Sequence, residues 1–250
     1  MAVRIEGDIW VFDLERGTRT RLTFEGDNDN PVWTPDGERI TYSAAEDIHW
    51  KRADGSGDAE LLLTGEYPLI PCSWSPDGNV LAFFETKDSQ RDIWVLPLEG
   101  DRGRIPFFVT PFNERSPSFS PDGRFVAYVS DESGRDEVYL QPYPGPGGKV
   151  PVSTDGGREP AWCPKGGELF YRTGDRMKVV SIETAPTLKV GIPRVLFEGR
   201  YLATDRSYGD QLFDVSSDCQ QFVMTRTSDQ AHLNVVLNWS EELKRLVPTE

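Results

Sequence analysis

One phrase, written five times, constrains this chain more than any other feature. It runs "NPVWTPDGERITYSA", "PCSWSPDGNVLAFFE", "SPSFSPDGRFVAYVS", "EPAWCPKGGELFYRT" and, in worn form, "LFDVSSDCQQFVMTR". The turn residues Asp36, Asp77, Asp122, Lys165 and Asp218 are separated by 41, 45, 43 and 53 positions. A repeat of about 40 to 45 residues built from strand-type units predicts the blades of a β-propeller. The phrase itself spells a hairpin. Proline presets φ at the second turn position, aspartate follows, and glycine at the fourth accepts a left-handed backbone. The flanks, such as "RFVAYVS" and "NVLAFFE", alternate apolar and polar residues at period two, as strands do.

A second phrase interleaves with the first: "GDIWVFDL", "EDIHWKRA", "RDIWVLPL" and "DEVYLQPY". A third follows it: "TRLTF", "ELLLT", "FFVTP" and "VPVST". Each unit therefore reads as four strands, A to D, with the turn phrase between A and B. All seven tryptophans fall in A slots (Trp33, Trp74, Trp162) or C slots (Trp10, Trp50, Trp94, Trp239). Large aromatics at equivalent positions fill the wedge between stacked sheets, so all seven are expected in the core. The chain enters at strand B, and its last strand, "LNVVLNW", is a C strand. Residues 1–250 thus read as a single all-β domain, a six-bladed β-propeller whose first blade lacks its inner strand. The blade units are approximately 1–24, 31–64, 71–110, 117–154, 160–198 and 211–239, with a short helix over 240–247 capped by Ser240. Both chain ends supply B and C strands and are not complementary. The expectation is a piece of a longer reading frame whose ring closes within one chain. A monomer is favoured, with an edge-mediated dimer as the alternative.

Charge narrows the partners. With 27 Lys+Arg against 41 Asp+Glu the chain carries −14, a field that repels phosphate backbones and anionic membrane surfaces. No apolar run reaches a membrane span, and "MAVRIEGDIW" has no signal-peptide architecture. Cys72, Cys163 and Cys219 form no CxxC pair and leave one over in any disulfide scheme. They read as small core or turn residues.

The combined motif, "PxWSPDGxxIAYxS" with "DIWV" and "RLT", resembles the TolB-like, WD-repeat-like six-bladed propellers over almost the whole chain. The resemblance extends to the C-terminal propeller halves of bacterial sensor proteins, receptor-type serine/threonine kinases among them. It implies a binding or sensing module and a periplasmic or extracytoplasmic setting. The kinase motifs themselves are absent. The fourth copy, in the fifth blade unit, departs from the pattern with "CPKGG" for "SPDG", and "FEGRYLATDRSYGDQ" is a longer loop than its counterparts.

Catalytic signatures are few. No GxSxG occurs, and the only histidines are His49 and His232. His49 occupies a C slot where other copies hold an aromatic or apolar residue, and is expected to be a packed core residue. "PYPGPGGK" is glycine-rich but has no following helix, so it reads as a loop. What remains is the channel mouth, where the D-to-A connections gather before each inner strand. Asp29, Asn30, Glu114, Arg115, Arg158, Glu159 and Asp210 are the candidate ligand-binding residues there. Neighbouring acid and arginine in "NERSP" and "GREP" predict paired charges and a neutral site. Asp27 and Asp29 predict at most a weak position for a divalent cation such as Ca²⁺. The leading expectation is a non-catalytic module holding a small ligand, peptide or protein partner. The alternatives are a metal-assisted hydrolase of the lactone or phosphotriester class, and a ligand-free scaffold.

Overall fold

A computed structural model of the chain describes residues 1–100, 103–202, 211–225 and 233–236. The expected helix over 240–247, together with Trp239, His232 and Asp210, lies outside the described residues. Every element described is a strand. The first sheet is β1 (Ala2–Ile5), β2 (Asp8–Asp13) and β3 (Thr18–Arg21). The second is β4 (Asn28–Trp33), β5 (Arg39–Ala44), β6 (Asp47–Arg52) and β7 (Glu60–Leu63). The third is β8 (Leu69–Trp74), β9 (Val80–Lys87), β10 (Gln90–Pro97) and β11 (Ile105–Phe108). The fourth is β12 (Glu114–Phe119), β13 (Phe125–Ser130), β14 (Glu137–Pro142) and β15 (Val150–Pro151). In the fifth, β16 (Arg158–Trp162), β17 (Glu168–Thr173) and β18 (Arg176–Glu183) are followed by β19 (Lys189–Val190) and β20 (Arg194–Glu198), both on the far edge of β18. A last sheet holds β21 (Phe213–Val215), β22 (Phe222–Thr225) and β23 (Leu233–Val236).

These sheets are antiparallel meanders in chain order, and the fold is an all-β propeller. The blade count corrects the sequence reading: five blades are built, against the six expected. The reason lies in the last sheet, whose three strands are only three or four residues long and have no fourth among the described residues. The first sheet begins at a B-type strand, in the phase that the repeat implied. The chain divides into two compact units, Met1–Phe119 and Ser120–Glu250.

The core of each unit is a set of apolar clusters between neighbouring sheets. In the first unit, Ile9, Leu22, Ile40 and Tyr42 join the first and second sheets. Ile48, Leu69, Trp74, Leu81, Phe83 and Leu96 join the second and third. In the second unit, Val138, Leu140, Trp162, Leu169 and Tyr171 join the fourth and fifth sheets, and Phe170, Met177, Phe213 and Phe222 join the fifth and last. The inner strands carry most of these buried side chains, whereas β3 is exposed along its whole length.

The described tryptophans divide by burial, which amends the expectation that all are core, and Trp33, in an A slot, is half-buried. Trp74 and Trp162, on A strands, are buried at 6% and 7% exposure. The described C-strand indoles, Trp10, Trp50 and Trp94, are half-buried and each carries a guanidinium on its face. Arg39 lies 4.3 Å from the Trp50 centroid, Arg104 4.5 Å from Trp94, and Arg19 5.5 Å from Trp10. His49 is half-buried and stacks on Tyr42 at 6.0 Å, as a packing residue does.

The A-to-B turns explain why the phrase repeats. In the third sheet Ser75 donates its hydroxyl to Asp77 at 2.5 Å, and Asp77 accepts the amide of Asn79 at 3.1 Å. The Val80 amide donates to Ser75 Oγ at 3.0 Å, while Gly78 turns with φ +73°. Thr34 with Asp36, Ser120 with Asp122, and Ser216 with Asp218 repeat the arrangement. Hydrogen bonds hold Asp36 and Asp77 below the ordinary carboxylate range, that from Thr34 first for Asp36 and that from Ser75 first for Asp77. At Asp122 burial pushes upward, but donors from Ser120, Thr184 and the Arg124 amide outweigh it and bring the carboxyl to about 2.

The fifth sheet loses both polar turn groups, with Cys163 in the serine slot and Lys165 in the aspartate slot. A disulfide stands in their place. Cys163 bonds Cys219, which occupies the glycine slot of the next turn at φ 63°, with the two Cα atoms 5.5 Å apart. Cys72 is the cysteine left over. Cys163 and Cys219 are buried turn residues, as the sequence reading expected, and the bridge between them is what it did not identify. Equivalent turns of adjacent sheets bring two different slots of the phrase together, a proximity that the repeat alone does not contain.

Candidate functional site

The loops that lead into the A strands are fastened by a second recurring device. In the first sheet the hydroxyl of Thr23, just after β3, accepts the Ile9 amide at 2.8 Å and donates to Asp8 at 3.1 Å. Ser153 does the same in the fourth sheet, accepting the Val138 amide at 2.8 Å and donating to Glu137. Asp47 accepts the amide of Gly65 at 3.1 Å in the second sheet. In these three sheets the acid that opens the C strand thus anchors the start of the following loop. The loop after β15 also demands a close approach, because a Cβ at Gly157 would lie 2.5 Å from Ser153 Oγ.

Where these loops become strands, the backbone is strained in the same way in three of the copies. Asn30, Ser116 and Glu159 adopt φ of 53°, 53° and 55°, and each directly precedes a proline, Pro31, Pro117 or Pro160. Non-glycine residues seldom take this conformation. In the second sheet the register moves from Asp29↔Ser43 to Val32↔Thr41, so Asn30 and Pro31 together oppose Tyr42. In the fifth it moves from Arg158↔Arg172 to Ala161↔Phe170, placing Glu159 and Pro160 opposite Tyr171. These are β-bulges, which bend a strand and re-aim the side chains at its start. The third sheet has a bulge at Pro71 to Ser73 without the left-handed residue, since proline's fixed φ forbids it.

The predicted site residues separate by unit and by burial. In the first unit Asp29 keeps 38% of its side chain exposed and Asn30 is half-buried, its amide donating to Ser43 Oγ at 3.2 Å. Arg4, absent from the sequence-derived set, donates to Asp27 at 2.6 Å and lies 3.6 Å from Asp29. A guanidinium therefore stands at the acids where a weak cation position was expected. Glu114 and Arg115 are buried at 2% and 4% exposure, and Thr110 donates its hydroxyl to Glu114 at 2.8 Å.

In the second unit Arg158 pairs with Asp136 at 2.6 Å, and Glu159 faces Arg172 at 3.7 Å with both side chains buried. Arg172 in turn donates to the Leu202 carbonyl at 2.6 Å, and Glu159 accepts the Leu212 amide at 3.3 Å. The arginine and acid that are neighbours in "GREP" thus take different partners, because successive strand residues point to opposite faces. Asp210 lies outside the described residues. Nearby, the Lys178 ammonium, in a slot that elsewhere holds an aromatic, sits 2.8 Å and 2.9 Å from the two Asp155 oxygens. That contact holds the Asp155 carboxyl below its ordinary range. Burial raises the Tyr171 phenol beside it.

Sequence reasoning missed Ser116, Arg4 and Arg172. Ser116 had a signal, since it precedes the strand-A proline as Asn30 and Glu159 do. Arg4 and Arg172 had none, being strand-B residues that reach the loops only through the sheet register. Among the described residues no group of three or more histidine, cysteine, aspartate or glutamate side chains is placed to hold a metal ion.

No family model matches the chain, and no curated protein does. Among solved structures it is similar to TolB from Acinetobacter baumannii, with a TM-score of 0.71 and 18% identity. That match covers 91% of this chain but only 56% of that one. The putative TolB from Agrobacterium tumefaciens matches at TM-score 0.66 and 18% identity, over 79% of this chain and 76% of that one. An oligogalacturonate lyase in complex with manganese matches at 0.64 and 13% identity, over 94% and 68%. At these identities the likeness is one of fold, and the fold is a TolB-like propeller.

Proposed function

We propose that the chain is a non-catalytic binding module that holds a small ligand, peptide or protein partner on the loops leading into its A strands. The supporting observation is the left-handed, pre-proline residue at Asn30, Ser116 and Glu159. Strain of this kind, about 1 to 3 kcal/mol per residue, persists where surrounding structure holds a side chain in a required direction. The accessible members are Asp27, Asp29 and Asn30 on the first unit and Arg158 on the second, of which Asp27 is the most exposed. Buried Glu114, Arg115 and Glu159 set the loop shapes beneath them, and Asp210 completes the proposed set. The reading extends to a sensor role in a periplasmic or extracytoplasmic setting, with residues 1–250 acting as a single domain. The hydrolase reading is weaker, because Arg4 engages the two acids nearest a cation position.

A displayed random-peptide library panned on the chain tests this. Peptides enriched on the wild type should lose at least about tenfold in affinity for an Asp29→Ala, Asn30→Gly variant, since a hydrogen-bonded charged contact contributes roughly 1.5 to 3 kcal/mol. Glycine preserves the left-handed backbone, so the fold survives the change. Undiminished binding by that variant removes the loop surface from consideration. A manganese-dependent hydrolysis of lactone or phosphotriester substrates would favour the alternative.

A further inference from the structure

We propose that the Cys163–Cys219 disulfide is a latch that holds the last sheet on the fifth, so that reduction opens this end of the second unit and leaves the preceding sheets folded. Four observations converge on it. The bridge joins the A-to-B turns of the two sheets, and its cysteines replace the serine of one turn and the glycine of the next. The turn that lost its serine and aspartate has no side-chain cap of its own, so the bridge is the covalent tie at that corner. Cys219 keeps φ at 63°, a conformation for which glycine serves in the other copies, at Gly37, Gly78, Gly123 and Gly166. The sheet being held is also the least able to hold itself. β21 and β22 have three and four residues and meet the fifth sheet through a few apolar side chains, chiefly Phe213, Val215, Phe222 and Met224.

Both cysteines are 4% exposed, so a reductant reaches the sulfurs only when the last sheet lifts. The chemistry is ordinary exchange with a dithiol. Its thiolate attacks one sulfur of the bridge, breaking the S–S bond and forming a mixed disulfide. Its second thiolate displaces the remaining cysteine thiolate. The dithiol is oxidised to a cyclic disulfide, and two electrons and two protons leave Cys163 and Cys219 as thiols. Folding of the last sheet then depends on an oxidising setting or a disulfide donor.

The test is hydrogen exchange read by mass spectrometry on the full chain, with and without dithiothreitol. Alkylation should report one free thiol, Cys72, in the oxidised protein and three after reduction. The amides of 213–224 should lose at least about tenfold in protection on reduction, with β5, β9, β13 and β17 within about twofold of the oxidised protein. A Cys163→Ser, Cys219→Gly variant restores the repeat's own turn letters without the bridge. It should show the open pattern whether or not dithiothreitol is present. Protection of 213–224 that survives reduction, or survives in the variant, overturns the latch. So does a loss of protection spread evenly over the earlier sheets, because the bridge would then support the whole unit.

Discussion

At Asn30 the requirement for a left-handed backbone meets the restriction that the following Pro31 imposes. Asparagine is among the few side chains that tolerate such a φ, whereas a β-branched side chain there is a genuine outlier. Asn30→Gly should therefore change stability by less than about 1 kcal/mol. Asn30→Val should cost about 2 kcal/mol or more, and urea denaturation of the two variants checks the contrast. The turn aspartates carry a second residue-scale consequence. Asp122 falls from an ordinary 3.8 to about 2, so its folded form binds its proton less readily than the unfolded chain. The stability it contributes is fully present above pH 3.8 and is lost as pH falls from there towards 2. Asp36, Asp77 and Asp218 are lowered in the same direction. Melting temperatures recorded between pH 5 and 2 should fall, and Asp122→Asn should flatten that slope while lowering stability at neutral pH.

The element that recurs is a C-strand acid tied to a hydroxyl at the end of strand D. Thr23 both accepts the buried Ile9 amide and donates to Asp8, so removing its oxygen strands two groups at once. Thr23→Val should cost about 1 to 3 kcal/mol for the unsatisfied partners. Arg21→Ala removes a partly exposed ion pair to Asp8 and should cost less than about 1 kcal/mol. Equilibrium denaturation of the pair ranks the two, and an equal cost would refute the clamp. The letters of this device were plain in the sequence, as "DIW" and "RLT". Their partnership was not, because it depends on the pairing of β2 with β3, which sets Trp10 opposite Arg21 and brings Thr23 back to Asp8. The disulfide belongs to this scale as well. A bridge closing a loop of 56 positions constrains the unfolded chain by roughly 4 kcal/mol in the chain-entropy account.

For the whole molecule, the excess of acids is a steady opposing influence. A net charge of −14 on 250 residues favours solubility and repels itself in the compact state. Raising salt from about 10 mM to 150 mM shortens the Debye length from roughly 30 Å to 8 Å and screens that repulsion. The melting temperature should rise over this range, and a fall would show that surface ion pairs such as Arg176 with Glu198 outweigh the repulsion. No helix among the described residues is long and apolar enough to cross a membrane.

Strand order, hairpin turns and fold class follow from local chemistry. Proline and glycine preset turn dihedrals, period-two alternation writes strands, and a repeat near 43 residues builds successive sheets, so all three were legible in the residues alone. Blade count and the burial and partners of the candidate residues were decided by tertiary structure. The repeat counts phrases, but the last phrase builds only short strands. Glu159 was legible as a candidate from its place before the strand-A proline. Its burial against Arg172 depends on a register shift, and register is a property of two strands together. The Cys163–Cys219 bridge joins two slots that never share a copy of the phrase. Only the stacking of one sheet on the next brings them within bonding distance.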